Sequence, residues 1–400
     1  MRYADFVHRL ENRGSRAWEI HGAGWDRIRQ GHDVIMLSIG DPDFATPGGV
    51  VEATVAALRA GHTHYSWIEG SPELRRAIAQ RHARTTGVVV DPDRVVATQG
   101  AQGALYSAIV CLAGPGDEVI VPEPMYVTYE AVIGASGAAM VTVPLRGERA
   151  FHLDPDDVRR AVTPRTRAIL LNTPHNPTGA VLSRDELAAI GAVCREHDLW
   201  LVSDEVYATV TYGVEHVSPA ALPGLDDRTV VIGSLSKSHA MCGWRVGWIV
   251  GPAELARHRY NLGLCMHYGL PTVIQDAAIA ALERDHEEVA AMRETFRARR
   301  DLVIQRVRAV PGLDCKRPEG AMYVMVDVRG TGLSSEAFAW RLLEEADVAA
   351  LPADGFGPSG KGYLRWSLTV PTDRLTLACD RLEGFVRGLG ALRSAPITAR

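Results

Sequence analysis

The sequence has little that would tie it to a membrane, a nucleic acid or a metal. No stretch approaches the ~18 uninterrupted apolar residues that a bilayer-spanning helix needs. Residues Met1 to Ile20 carry Arg, Asp, Glu and His where a secretory signal would be apolar, so a cytoplasmic location is expected. Positive charge is not in excess. The 43 Lys and Arg against 48 Asp and Glu leave a net charge of −5, which argues against a nucleic-acid footprint and gives no attraction to an anionic membrane. The six cysteines (Cys111, Cys194, Cys242, Cys265, Cys315 and Cys379) lie far apart with no Cys-x-x-Cys pair, so most read as small buried side chains in a reducing compartment. His62 and His64 lack further ligands at a suitable spacing, and no metal is expected. There is no Gly-x-Gly-x-x-Gly and no Walker lysine. Repeats and low-complexity linkers are also missing, and only Ser394 to Arg400 reads as a frayed tail.

At 400 residues, 46% of them hydrophobic, the chain exceeds the size at which one core usually stops growing, so two domains are expected. From about Arg94 to Gly251, short β-branched runs alternate with helical patterns. The runs are Val95–Ala97, Glu118–Val121, Met140–Val143, Ala168–Leu171, Leu199–Ser203, Val230–Ile232 and Val246–Val250. They are near-continuous in apolar residues, as strands covered on both faces should be. The clearest helix between them starts at Ser183, with Glu186 completing a capping box and Leu187, Ile190 and Cys194 on one face. This predicts a large α/β domain over 46–285 with a mostly parallel mixed sheet between helices. The remainder predicts a smaller α+β domain. It comprises a long helix from His286 to Val310, strands at Tyr323–Val328 and Tyr363–Leu368, helices at Ser335–Glu345 and Asp373–Leu389, and the N-terminal residues 1–45 packed against them.

The chemistry concentrates around Lys237, in the run Ser234-Leu235-Ser236-Lys237 followed by Gly243-Trp244-Arg245-Val246-Gly247. An amine attacks an aldehyde only when deprotonated, which a desolvated site favours. Ser234 and Arg245 can hold a phosphate carrying about two negative charges. A lysine, an aldehyde and a phosphate point to pyridoxal 5'-phosphate. That cofactor also needs a partner for its pyridine nitrogen, groups for its phenolic oxygen, a stacking face and a phosphate cup. Asp204, ending the run Leu199–Ser203, can keep the ring nitrogen protonated; an N-cap or surface ion pair is the plainer alternative. Tyr207 and Asn176, the latter in Asn176-Pro177-Thr178-Gly179, can bond the phenolic oxygen. Thr98-Gln99-Gly100-Ala101-Gln102-Gly103 opens a helix after a strand, so the backbone N–H groups of Ala101 and Gln102 can form an anion cup. Tyr126, after Pro122-Glu123-Pro124-Met125, can stack on the ring. Arg365 lies inside a strand pattern and needs a partner, either a substrate carboxylate held in a fork or an acid of the chain itself.

The run Ser234 to Gly247 resembles the lysine signature of the class I/II aminotransferases, the fold type I pyridoxal phosphate enzymes. The motifs from Gly40-Asp41-Pro42-Asp43-Phe44 through Arg365 follow the same order. The resemblance implies an aspartate aminotransferase-like fold, in which a small domain closes over amino-acid and 2-oxo-acid substrates. It further implies that Lys237 binds the cofactor and shuttles a proton, and that Asp204, Asn176, Tyr207, Tyr126, Ser234, Arg245, Ala101 and Gln102 hold the cofactor. Arg365, Gly40 and Asn176 would meet the substrate. Tyr65 would reach across a homodimer interface to the neighbour's phosphate, making the sites shared. Within the family, a narrower likeness in Glu123–Ala131, Leu235–Met241 and Glu215–Ala220 implies L-arginine as donor and pyruvate as acceptor. A guanidinium would want acidic or aromatic company, for which Trp18, Trp67 and Glu69 are loose candidates. A β-lyase, or an arginine oxidase or hydroxylase, would use the same cofactor residues and stays open.

Overall fold

The computed structural model describes residues 1–10, 17–284 and 286–394; of the tail expected over Ser394–Arg400, Ser394 ends a helix and the rest lies outside the described residues. The alternating apolar runs form one seven-stranded sheet. In chain order its strands are β1 (Val95–Gln99), β2 (Glu118–Glu123), β3 (Ala139–Pro144), β4 (Thr166–Asn172), β5 (Trp200–Asp204), β6 (Thr229–Ser234) and β7 (Val246–Val250). Their spatial order is β1-β7-β6-β5-β4-β2-β3. Only β7 runs against its neighbours; the other pairs are parallel. The five strands from β7 to β2 are almost wholly buried, which explains their unbroken apolar character. The expectation of cover on both faces fails at β3, an edge strand where Ala139 and Thr142 are exposed, while β1 at the other edge is covered.

Parallel strands put their C-terminal ends along one rim. There, Asn172 pairs in register with Asp204, and Asp204 with Ile232, two residues before Ser234. Antiparallel β7 reaches the same rim with its first residues, so Arg245 arrives there from the opposite direction, next to Gln99 at the end of β1. Helix α1 (Gly100–Leu112) leaves from this rim. Helix α2 (Arg184–Glu196) carries the predicted capping box between Ser183 and Glu186, and it buries Leu187, Ile190 and Cys194 as expected.

Toward the C-terminus, α3 (Glu287–Arg308), α4 (Ser335–Ala346) and α5 (Thr372–Ser394) pack on an antiparallel sheet. Its strands are β8 (Asp314–Cys315), β9 (Tyr323–Asp327), β10 (Leu351–Pro352) and β11 (Tyr363–Ser367), ordered β10-β11-β9-β8. Their shared core draws Ile20, Val34, Ile35 and Leu37 from the N-terminal segment onto Phe296, Val303, Trp366 and Leu382. A short parallel ribbon, Ile35–Met36 with Val348–Ala349, and the ion pair Asp43–Arg299 at 2.7 Å bind the two ends of the chain together. Burying that segment is what carries Gly40 and Asp41 to the sheet rim. Among the described residues no helix is long and apolar enough to cross a membrane, and no cluster of His, Cys, Asp and Glu could hold a metal ion.

Candidate active site

The rim and the antiparallel sheet enclose a cleft of about 290 Å³. Of the residues singled out from the sequence, eleven line it: Gly40, Ala101, Gln102, Tyr126, Asn176, Asp204, Tyr207, Ser234, Lys237, Arg245 and Arg365. Tyr65 does not. It is 93% exposed and its ring lies 5.7 Å from that of Tyr268, on the outer surface of the chain. Trp18 also lines the cleft, whereas Trp67 is 62% exposed and Glu69 lies 3.7 Å from Arg75. Trp67 and Glu69 are therefore not part of this cleft: the backbone after Tyr65 turns back to pair with β1, Ala97 N donating to the Glu69 carbonyl.

Lys237 Nζ donates to the Gly40 carbonyl at 2.6 Å and approaches Cys242 Sγ at 3.4 Å. Burial depresses its pKa, as the sequence predicts. The negative charge that Tyr323, Cys242 and Tyr126 carry when ionised and the Cys242 hydrogen bond favour the ammonium and together outweigh burial, so the net shift is upward. The amine of the free protein is thus held charged, a correction to the expectation of easy deprotonation from desolvation alone. Gly40 is required here, since a Cβ would overlap the Tyr323 hydroxyl.

Asp204 is buried at the end of β5. Burial pushes its carboxyl up to about 6, against the opposing pull of a 2.7 Å hydrogen bond from the Tyr129 hydroxyl and one from Val206 N–H. Asn172 fixes the backbone beneath, donating through Nδ2 to the Asp204 carbonyl and accepting at Oδ1 from Asn176 N–H. Asn176 Oδ1 in turn accepts from Arg365. Tyr207 meets the Tyr323 hydroxyl at 3.0 Å, while Tyr126 stands edge-on to Tyr129.

At the N-terminus of α1, Gly100 has a positive φ of 69°, and a Cβ there would strike Arg245 Nη2. A Cβ on Gly247 would likewise overlap Gly100 and Ala101. These glycines let Arg245, the free N–H groups of α1, and Ser234 converge. Ser234 Oγ donates to the Val246 carbonyl and accepts from Ser236 N–H. The Gln102 side chain is occupied, accepting from Thr128 Oγ1 at 3.0 Å, which leaves its backbone N–H for an anion.

Arg365 is buried without a carboxylate partner among the described residues. It donates to the Ser38 carbonyl at 2.6 Å and to Asn176, lies over the rings of Tyr323 and Phe356, and leaves Nε unpaired. The alternative of an internal ion pair is therefore not what the fold builds. Sequence reasoning missed Tyr129, Asn172, Tyr323 and Cys242. Tyr129 comes three residues after Tyr126 and Asn172 directly follows a predicted strand, so both had a signal. Cys242 lies five residues after Lys237, within the run already singled out, whereas Tyr323 had no signal, because only the fold brings it to the lysine. Together these groups can hold an anion at α1, a cation against Asp204 and a carboxylate at Arg365, with an amine between.

The family described as "Aminotransferase class I and II" matches residues 32–382. Arginine–pyruvate transaminase of Pseudomonas aeruginosa is 53% identical over 382 residues, 96% of this chain and 97% of its own. Aspartate aminotransferase of Geobacillus stearothermophilus is 37% identical over 363 residues, 89% and 92% of the two chains. Among solved structures, Thermus thermophilus aspartate aminotransferase with maleate superposes with a TM-score of 0.91 at 36% identity, over 96% of this chain and 100% of its own. The Rhizobium meliloti aspartate aminotransferase gives 0.93 at 32% identity, over 97% and 99%. The family match spans the whole rim that bears Lys237, Asp204 and Arg365, and this chain belongs to the class I and II aminotransferases, enzymes that move an amino group from an amino acid to a 2-oxo acid.

Proposed function

We propose that the protein uses pyridoxal 5'-phosphate to move the α-amino group of L-arginine to pyruvate, as a homodimer with shared sites. The observation that carries the transaminase reading is the single cleft joining Lys237, Asp204 and the carboxylate-free guanidinium of Arg365. The described residues fit the cofactor. Asp204 is a buried carboxylate paired with a tyrosine rather than a cation, and Gly100 and Gly247 keep open a cradle that a Cβ would fill. Ser234, Arg245 and the N–H groups of Ala101 and Gln102 would hold its phosphate, Asn176 and Tyr207 its phenolic oxygen, Asp204 its ring nitrogen and Tyr126 its face. When bound, it supplies an electron sink for the charge left at the substrate Cα.

The chain supplies the rest. Arg365 orients the substrate by a forked bond to its α-carboxylate, which places the Cα proton toward Lys237. Lys237 takes that proton at Nζ and returns it. Donor and acceptor use the same carboxylate site in turn, which predicts ping-pong kinetics. Residues 46–285 would form the larger domain, and 1–45 with 286–400 the smaller one that closes over substrate. The N-terminal residues packed into the C-terminal core support that division. Tyr65 would serve the neighbouring subunit; its exposure beside Trp67 and Tyr268 supports such an interface.

The 53% identity to an arginine–pyruvate transaminase supports the choice of substrates. A panel of arginine, lysine, methionine, glutamine and aromatic donors against pyruvate and 2-oxoglutarate tests it. Arginine with pyruvate should give the highest kcat/KM. Turnover without any 2-oxo acid, with oxygen consumed, would replace the proposal with an oxidase. Arg365→Lys keeps the charge and loses the fork, so kcat/KM should fall roughly 10²-fold for donor and acceptor alike with cofactor retained. A loss confined to one substrate would refute a common carboxylate site.

A further inference from the structure

Of the described cysteines only Cys242 lines the cleft, and neither the cofactor's groups nor the substrate carboxylate require it. Its backbone and its side chain are both fixed. It opens a short 3-10 turn, Cys242–Trp244, and its carbonyl accepts from Arg245 Nη1 at 2.6 Å. Trp244 Nε1 donates to Thr46 Oγ1 at 3.0 Å and pins the same turn. The thiol proton has two oxygen acceptors, the Ser236 carbonyl at 3.2 Å and the Asp41 carboxylate. A proton committed to either oxygen is not offered to Lys237, so the sulfur meets Nζ, 3.4 Å away, as an acceptor.

We propose that Cys242 is a positioning residue acting through Lys237: with the Gly40 carbonyl it takes the two N–H groups of the neutral amine and so aims the lone pair at the substrate Cα. A neutral amine has two hydrogens and one lone pair. With one hydrogen on the Gly40 oxygen at 2.6 Å and the other on Cys242 Sγ, the lone pair is left for the open cleft. There a substrate held at Arg365 presents its Cα proton. Sulfur is a weak acceptor, so the contact sets direction more than strength. Among the described residues no other hydrogen bond holds the amine. Without the sulfur, the flexible four-carbon stem can turn about the Gly40 bond and carry the lone pair off line. Tyr126 and Tyr323 also face the amine, Asp41 faces the thiol, and Asp204, Tyr207, Arg245 and Arg365 line the rest of the cleft. The inference deepens, and rests on, the assignment of Lys237 as the proton carrier.

Single turnovers of the holoenzyme with L-arginine or L-alanine, each carrying hydrogen or deuterium at Cα, read the proton transfer. Cys242→Ala should slow them about 10-fold, within the loss for a misaimed group, with donor affinity unchanged and a deuterium effect no smaller than that of wild type. Cys242→Ser keeps one donor and one acceptor in place, so it should recover at least about a third of the wild-type rate. In cofactor-free protein labelled with carbon-13 at lysine Cε, three signals report Lys237, Lys316 and Lys361, and Lys237→Ala assigns the first. Cys242→Ala removes an acceptor of the ammonium, so the Lys237 midpoint should fall. A wild-type rate in Cys242→Ala, a slowing whose deuterium effect shrinks, or a midpoint that does not fall overturns the inference. So does a serine variant no faster than the alanine one. A wild-type enzyme that turns over neither donor would instead sink the functional reading on which it rests.

Discussion

Lys237→Ala should reduce transamination by at least about 10³-fold, within the range for removing a group that acts both as nucleophile and as proton carrier. The fold gives no substitute. The chain has only two other lysines, Lys316 and Lys361, and both are exposed away from the cleft. Nor does the change threaten stability, since Nζ bonds only the Gly40 carbonyl and Cys242 and anchors no core element. Loss of activity with an unaltered melting temperature is therefore the expected pair of results. Borohydride treatment of wild-type holoenzyme, followed by peptide mapping, should fix the cofactor on the peptide carrying Lys237. A variant keeping more than about a tenth of its rate, or a tag on Lys316 or Lys361, would remove this residue from the chemistry.

For Asp204→Asn, activity and stability should move in opposite directions. An amide cannot balance a cation, so turnover should drop about 10²- to 10⁴-fold. In the cofactor-free protein the same change should stabilise. The folded chain holds this carboxyl at about 6, against an ordinary value of 3.8. Folding therefore retains a proton that the unfolded chain gives up as pH rises between those values. The stability linked to that proton is complete below pH ~4 and lost as pH rises through ~6, a difference of about 3 kcal/mol. Asparagine removes the loss. It gives back about 1 kcal/mol, because one amide cannot accept from both Tyr129 and Val206 N–H. Thermal melts should show the variant ahead at pH 8 and the gap closed near pH 4. A gap that does not narrow with falling pH would mean that the carboxyl is not strained by its burial.

Most of the architecture could be read directly. Each of the seven apolar runs became a strand of the large sheet, and the Ser183 capping box forms as the pattern requires. Local rules sufficed because near-continuous β-branched runs and side-chain caps depend on neighbours within a few residues. The exception, β3, shows the limit: its apolar run does not reveal that it is an edge left partly uncovered, since strand order and cover are set by crossovers and not by composition. The cleft residues on the rim were legible for the same reason, since strand ends in such sheets are where ligands sit. Trp67 and Glu69 misled because nearness in sequence to Tyr65 says nothing about which way the loop turns.

From sequence alone came the residue types the chemistry needs, their place at strand ends, and the alternation that makes a covered sheet. The tertiary structure decided what each of them feels. Asp204 rises to about 6 because burial outweighs the hydrogen bonds from Tyr129 and Val206 N–H, and Arg365 is left without an acid because β11 faces Ser38 and Asn176. Lys237 stays charged because Gly40 and Tyr323, from two distant segments, join the nearby Cys242 at its amine. Electrostatics depends on distance through space and on exclusion of water, and neither quantity exists until the chain has folded.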